Sequence, residues 1–393
     1  MKKTHAFKVT KVNKPVTWLN FLEMSSIIKR QLSCHLVNFP GWRTNRKIVV
    51  IESDDWGSIR MPSKEAYRFL IKAGAISAND PFARNDSLAS EEDLAALFET
   101  LRGFRDFKGN HPVITANCVV ANPDFEKIRC SGFSEYHYEL FTETLKKYPK
   151  HKNAFTLWKE GIGEKLFFPQ YHGREHINVN LWLDKLQSGS EAFLNAFDQH
   201  TFAADHKVAA AFGIRSEKEI DTIKQIIQEG YDLFSEIFGY SSATFIAPNY
   251  TWDKNVEEVM AHNGVKIIQG SKRQNIPDLK KGGTKKAYHY TGQKNRFNQT
   301  YLVRNCLFEP SISPKADYVG ACLRHIANAF FWNTPAIIGT HRLNYIGSLD
   351  EKNRRENLKQ LKIVLETILK KWPDAEFLSS AELGQVILHA KND

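Results

Sequence analysis

The chain lacks the features that mark several large protein classes. It has only five cysteines in 393 residues (Cys34, Cys118, Cys130, Cys306 and Cys322), an odd and scattered set without C-x-x-C spacing. That argues against a disulfide framework and suits a reducing cytoplasm, the expected location. No run of about 18 apolar residues occurs, so no membrane-spanning helix is expected. The basic start Met1-Lys2-Lys3 leads into no apolar stretch with a small-residue cleavage site, so no secretory signal is expected. There is no G-x-S-x-G elbow, Walker A loop or G-x-G-x-x-G turn, which leaves serine hydrolases and nucleotide enzymes without support. No repeat of about 20–50 residues is visible.

Acidic residues are almost missing from one segment. Residues 1–47 hold ten Lys and Arg against a single acid, Glu23, and so account for nine of the ten net positive charges. The remainder is close to neutral and gives no reason to expect a nucleic-acid groove. Within this basic extension (residues 1–46), Trp18, Leu19, Phe21, Leu22, Ile27 and Ile28 precede Lys29 and Arg30. Such a pattern suits peripheral contact of residues 1–47 with an anionic membrane surface. It equally suits a helix packed on the main domain with its basic side in water.

What is present reads as one globular α/β domain over residues 47–393. Hydrophobic residues make up 42% and charged residues 25%, ordinary for a folded soluble chain. Lys47–Ile51, His111–Val120, Leu166–Phe168, Ala209–Gly213, Ala243–Ala247, Val265–Ile268, Thr300–Phe308 and Pro335–Gly339 read as strands. Helical periodicity follows Ser216-x-x-Glu219 and Ser348-x-x-Glu351, both written as capping boxes. Residues 280–296, rich in Lys and Gly, read as an exposed loop. Strands alternating with helices predict a mostly parallel sheet, here a distorted (β/α) barrel of about seven strands.

Chemistry in such folds collects at the carboxyl ends of strands. Asp54 and Asp55 end the first strand, His172 and His176 follow the third, Tyr250 follows a later one and His341 ends another. Two adjacent acids are costly to bury unless a cation or a proton relieves them. Two histidines at i and i+4 beside a carboxylate form a donor set suited to a divalent metal. Trp56 and Tyr250 stand beside these residues, where an aromatic face could stack on a ligand ring or could equally belong to the core. His172-x-x-Glu175-His176 also fits the H-x-x-E-H pattern of inverted zinc peptidases, in which Glu175 is the base.

Four of these segments, in order, resemble the polysaccharide deacetylases with their NodB-like homology domain. They are Ser53-Asp54-Asp55-Trp56-Gly57, His172-Gly173-Arg174-Glu175-His176, Ala247-Pro248-Asn249-Tyr250 and Ile338-Gly339-Thr340-His341, and the likeness spans about residues 47–385. The resemblance implies a metal-dependent hydrolase that removes acetyl groups from an acetylated sugar or polysaccharide. Asp55, His172 and His176 would hold the divalent ion, zinc first, with cobalt, nickel or manganese as alternatives. Asp54 would be the general base toward water and His341 the general acid toward the leaving group. The backbone N–H near Tyr250 would help stabilise the oxyanion. Three features depart from the family pattern, the first being a gap between Asp55 and His172 that is longer than usual and implies an insertion. Ala247 stands where an arginine usually orients the base, and Val265–Gly270 lacks the usual Trp and Asp. A carbohydrate-binding relative without turnover is the alternative these departures allow.

Overall fold

A computed structural model describes residues 35–390. The strands are β1 (Lys47–Trp56), β2 (Ile114–Val119), β3 (Ala121–Pro123), β4 (Tyr138–Leu140), β5 (Phe167–Gly173), β6 (Thr244–Phe245), β7 (Ile267–Gly270), β8 (Arg273–Pro277), β9 (Thr284–Tyr288), β10 (Thr300–Val303), β11 (Cys306–Leu307), β12 (Ala336–His341) and β13 (Ala375–Phe377). Two pairs, β3–β4 and β8–β9, are antiparallel hairpins. The other nine strands form one sheet, ordered β10-β7-β6-β5-β2-β1-β12-β11, with β13 paired to the start of β1. Every pairing in that sheet is parallel.

The two ends of that order are neighbours in the chain. Only Arg304 and Asn305 separate β10 from β11. The Arg304 N–H donates to Gly270 O at the end of β7, and the Asn305 N–H donates to Ile337 O of β12. One extended segment therefore pairs with both edges and closes the curled sheet. Counted once, it makes seven staves, which is the distorted (β/α) barrel expected from the strand–helix alternation.

Residues of β1 divide by strand parity, as a pleated strand requires. Val49 and Ile51 join the large outer core under the helices. Ile48 and Val50 meet Ile267, Leu302, Ile337 and Leu383 in a separate apolar cluster, so that strands from around the ring share one floor. Above it the same face of β1 turns polar with Glu52 and Asp54, both buried. Because all nine strands run one way, their carboxyl ends share one rim.

Several local expectations are corrected. Ala209–Gly213 is no strand; Ala209 ends a 3₁₀ turn at His206–Ala209 and the residues after it join no sheet. Residues 280–296 are not all loop, since Thr284–Tyr288 pairs with β8. Ser216 makes no side-chain cap, and Asp350 rather than Ser348 caps the helix Glu351–Lys371.

Residues 35–46 are fastened to the body. Arg46 makes a two-pronged pair with buried Glu376 at 2.5 and 2.8 Å, and the Trp42 N–H donates to Thr291 O. The apolar run Trp18–Ile28 lies outside the described residues. No helix among the described residues is long and apolar enough to cross a membrane.

Candidate active site

At the carboxyl rim, β1 ends irregularly. Its register against β2 shifts between Ser53 and Trp56, and Asp55 takes a left-handed backbone, φ 72°. In a regular strand, Asp54 and Asp55 would face opposite sides of the sheet. The bulge lets both carboxylates line one cavity of about 100 Å³. Gly57, at φ 81°, completes the turn; a Cβ there would sit 2.4 Å from Val119 O, so glycine is required.

A second irregularity ends β5, where Gly173 (φ 141°) separates His172 from the irregular segment carrying His176. Asp55 Oδ1 lies 3.5 Å from His172 Nε2 and 3.0 Å from His176 Nε2. The three residues are buried, with donor atoms mutually within 4.8 Å. Ligands held about 2.0–2.2 Å from one ion lie roughly 3–3.5 Å apart, so the spacing fits a shared cation. His172 Nδ1 faces Ile246 O at 2.9 Å, while its Nε2 is buried without a hydrogen-bond partner. A carbonyl on one ring nitrogen and an orphan on the other is the arrangement a metal-binding imidazole uses. Burial also pushes His176 below the ordinary histidine range, although Asp55 opposes it, which favours the neutral ligand form. Burial raises the Asp55 carboxyl, but the His176 and Arg60 charges outweigh it and hold the group well below the usual range. Arg60 reaches Asp55 Oδ2 at 3.1 Å, leaving Oδ1 to the histidines.

Asp54 has its own counter-ion, which sequence reasoning missed. Arg304 grips it with two nitrogens at 2.7 and 2.6 Å, while Arg304 Nε donates to Glu52 Oε2 at 2.7 Å. Burial raises the Asp54 carboxyl, and the Arg304 guanidinium more than offsets this, bringing it to about 2. The counter-ion of Asp54 comes from the strand segment that closes the barrel and not from position 247, which is Ala. Gly339 of β12 makes room for it: a Cβ there would lie 2.7 Å from Arg304 Cδ.

His341, at the end of β12, lies opposite. Its Nε2 is 3.9 Å from Asp54 Oδ2, and its Nδ1 is 2.5 Å from Glu309 Oε1. Burial lowers its pKa, but the Glu309 carboxylate wins and raises it to about 9. Glu309 is itself fixed by the Asn344 amide at 2.7 Å. Glu309 was also missed, and it too follows the closing segment. Neither residue carries a local signal of its role: Arg304 lies inside the strand-like run Thr300–Phe308 and Glu309 directly follows it.

Two of the residues expected here act otherwise. Trp56 is 1% exposed; its indole donates to Ser53 Oγ at 2.9 Å and its ring packs edge-on against Phe167 and Trp158. It is a core residue, because the bulge that brings both aspartates to the cavity turns the next side chain into the outer core under the helices. The Tyr250 backbone N–H donates to Ala247 O at 3.0 Å and is unavailable to an oxyanion. The Tyr250 side chain does line the cavity, and its hydroxyl accepts from Arg304 at 3.0 Å. The inverted zinc peptidase reading is also corrected. Residues 172–176 are the end of a strand and an irregular turn, and Glu175 is locked in a two-pronged pair with Arg174 at 2.6 and 3.1 Å.

Comparison with known proteins gives only distant likenesses. No protein-family model and no curated protein sequence matches the chain. Among solved structures it is similar to one assigned as a polysaccharide deacetylase from Mycobacterium smegmatis, at 9% identity and TM-score 0.43 over 88% of this chain and 92% of that one. It is similar to PuuE allantoinase at 9% identity and TM-score 0.45, covering 90% and 94%. It is also similar to 4-α-glucanotransferase from Thermococcus litoralis at 7% identity and TM-score 0.45 over 89% of this chain; there it spans only 41% of the other protein's length. Likenesses this distant carry no argument about activity.

Proposed function

We propose that the protein is a metal-dependent hydrolase that removes acetyl groups from an acetylated sugar. One observation carries this reading. Asp54 and His341 approach to 3.9 Å, each held by its own buried partner, beside the Asp55–His172–His176 cluster. A divalent ion held by those three residues supplies Lewis acidity, acidifying water and polarising the acyl oxygen.

The chain's own groups divide the proton transfers. Asp54, ionised at neutral pH, accepts the proton of the attacking water as the new C–O bond forms. With its pKa near 2 it is a weak base alone, and its advantage is fixed orientation by Arg304. The Tyr250 hydroxyl, pushed by burial up to about 12 against the pull of Arg304, stays protonated. It can donate to the developing oxyanion in place of the occupied backbone N–H. As the C–N or C–O bond breaks, His341 Nε2 delivers its proton to the departing nitrogen or oxygen. Acetate and the free sugar amine or hydroxyl are the products.

The test is acetate release from a panel of N- and O-acetylated sugars. Asp54→Asn removes the proton acceptor, and should lower the rate by about 10²–10⁴-fold while metal content stays at the wild-type level. An Asp54→Asn protein that releases acetate at the wild-type rate would overturn the assignment.

A further inference from the structure

Three of the four most exposed large apolar side chains among the described residues stand together. Phe331 is 71% exposed, Leu36 70% and Phe39 60%. Leu36 and Phe39 lie in the segment that leads into β1, and Phe331 ends the helix Tyr318–Phe331. Trp332 ties the two segments into one surface. Its ring meets Phe39 and Phe331 edge-on, with centroids 5.3 and 5.5 Å apart, and its indole N–H donates to His35 Nδ1 at 3.0 Å. The patch is therefore held in shape by the fold and yet left to solvent, which marks a contact surface. Its surroundings are short of acid. Neither Met24–Ile51 nor Tyr318–Leu349 contains an Asp or Glu. Arg43 lies over the Trp332 ring and donates to Trp332 O and Phe39 O at 2.6 and 2.8 Å, both neutral acceptors. The described chain begins at His35, inside the patch, so residues 1–34 join the body here. They carry seven Lys and Arg against the single acid Glu23.

We infer that this face docks on the surface of an anionic lipid bilayer. Leu36, Phe39 and Phe331 enter the boundary between headgroups and acyl chains, while Arg43 and the bases of residues 1–34 meet the lipid phosphates. Charge decides between this occupant and two others. Covering the patch with Trp18–Ile28 of the same chain would bring a strongly basic segment onto a surface that is itself basic. A second copy docked through the same patch would set Arg43 and the basic segment against their own counterparts. Both arrangements bury the apolar side chains but oppose like charges. An anionic bilayer satisfies the apolar patch and the charge together. The contact is peripheral and uses neither the metal centre nor the deacetylase reading.

The test is co-sedimentation of the full-length protein with vesicles. Mixed phosphatidylglycerol–phosphatidylcholine vesicles are compared with pure phosphatidylcholine vesicles. Wild type should bind the anionic vesicles at least about tenfold more tightly, and that binding should weaken as salt rises. Phe39→Ser/Phe331→Ser removes apolar area from the patch and should weaken binding about tenfold. Its melting temperature should stay at the wild-type value, because both side chains are exposed. Lys8→Gln/Lys11→Gln/Lys14→Gln leaves the patch intact and should weaken binding to the anionic vesicles about a hundredfold. Equal binding to both kinds of vesicle, or binding to neither, would overturn the inference. So would a Phe39→Ser/Phe331→Ser protein that binds as wild type does, since the basic segment would then act without the patch. A lower melting temperature or a smaller mass by light scattering in that variant, with vesicle binding unchanged, would also overturn it. Those outcomes would give the patch to Trp18–Ile28 or to a second copy of the chain.

Discussion

Asp54 and His341 carry opposite charges 3.9 Å apart, and neither charge depends on the other alone. Arg304 keeps the carboxylate ionised, while Glu309 keeps the imidazole protonated to about pH 9. A general acid of this kind predicts a rate that falls as pH rises through about 9. Glu309→Gln removes the charge that lifts His341, so the same limb should move toward the ordinary histidine value of about 6.5. The linkage to stability has the same sign. A histidine whose pKa is raised on folding stabilises the protein fully below about pH 6.5 and loses that contribution as pH climbs through 9. A pH–rate profile of both proteins checks this; an alkaline limb that does not move would remove Glu309 from the mechanism.

At the level of elements, the segment Thr300–Glu309 does two jobs. It closes the ring through β7 and β12, and it delivers Arg304 to Asp54 and Glu309 to His341. The fit depends on β12 being smooth at Gly339. Gly339→Ala places a methyl 2.7 Å from Arg304 Cδ, and the arginine must shift. Because Arg304 spans Glu52 and Asp54, displacement leaves buried carboxylates poorly compensated, at a cost of about 3 kcal/mol or more if the pairing is lost. Acetate release should fall by at least tenfold, and the urea midpoint should fall with it. A Gly339→Ala protein with wild-type rate and midpoint would show that Arg304 tolerates the shift.

The same elements show what could be read in advance. Asp54, Asp55, His172, His176 and His341 could be proposed from the sequence because they stand at or just beyond the ends of strand-like runs, where parallel folds place their chemistry. The barrel was legible from the alternation of such runs with helical periodicity. Arg304 and Glu309 were not, because their meaning depends on which strands the segment pairs with, and pairing between residues 300–308 and both 267–270 and 336–341 leaves no local mark. Trp56 was misjudged for a related reason: a bulge of one residue at Asp55 reverses the side on which its neighbour falls. Tyr250 was placed correctly in the cavity, but the bond of its N–H to Ala247 O belongs to a tight turn that composition does not announce.

For the whole molecule, the apolar floor and polar upper layer of the barrel make the site part of the interior, so metal, fold and N-terminal segment should be linked. Arg46 and Lys108 together cover buried Glu376, and Asn38 bonds to Asn305 beside the closing segment. A chain starting at Lys47 should therefore melt at a lower temperature than the full chain, by about 1–3 °C for a loss of about 1–2 kcal/mol. Equal melting temperatures would show that residues 35–46 are fastened without contributing to stability. Metal binding should also stabilise the fold, by about 2.7 kcal/mol at a hundredfold excess over the dissociation constant.

Elemental analysis of the full-length protein tests the central claim, that the rim cluster is a metal centre, more directly than any rate. The wild-type protein, purified without chelator, should carry about one divalent ion per chain. His172→Ala removes the imidazole whose Nε2 has no hydrogen-bond partner and should lose that ion, while Asp54→Asn should keep it. Equal metal content in wild type and His172→Ala, or no metal in wild type even after exposure to zinc, cobalt, nickel and manganese, would contradict the account.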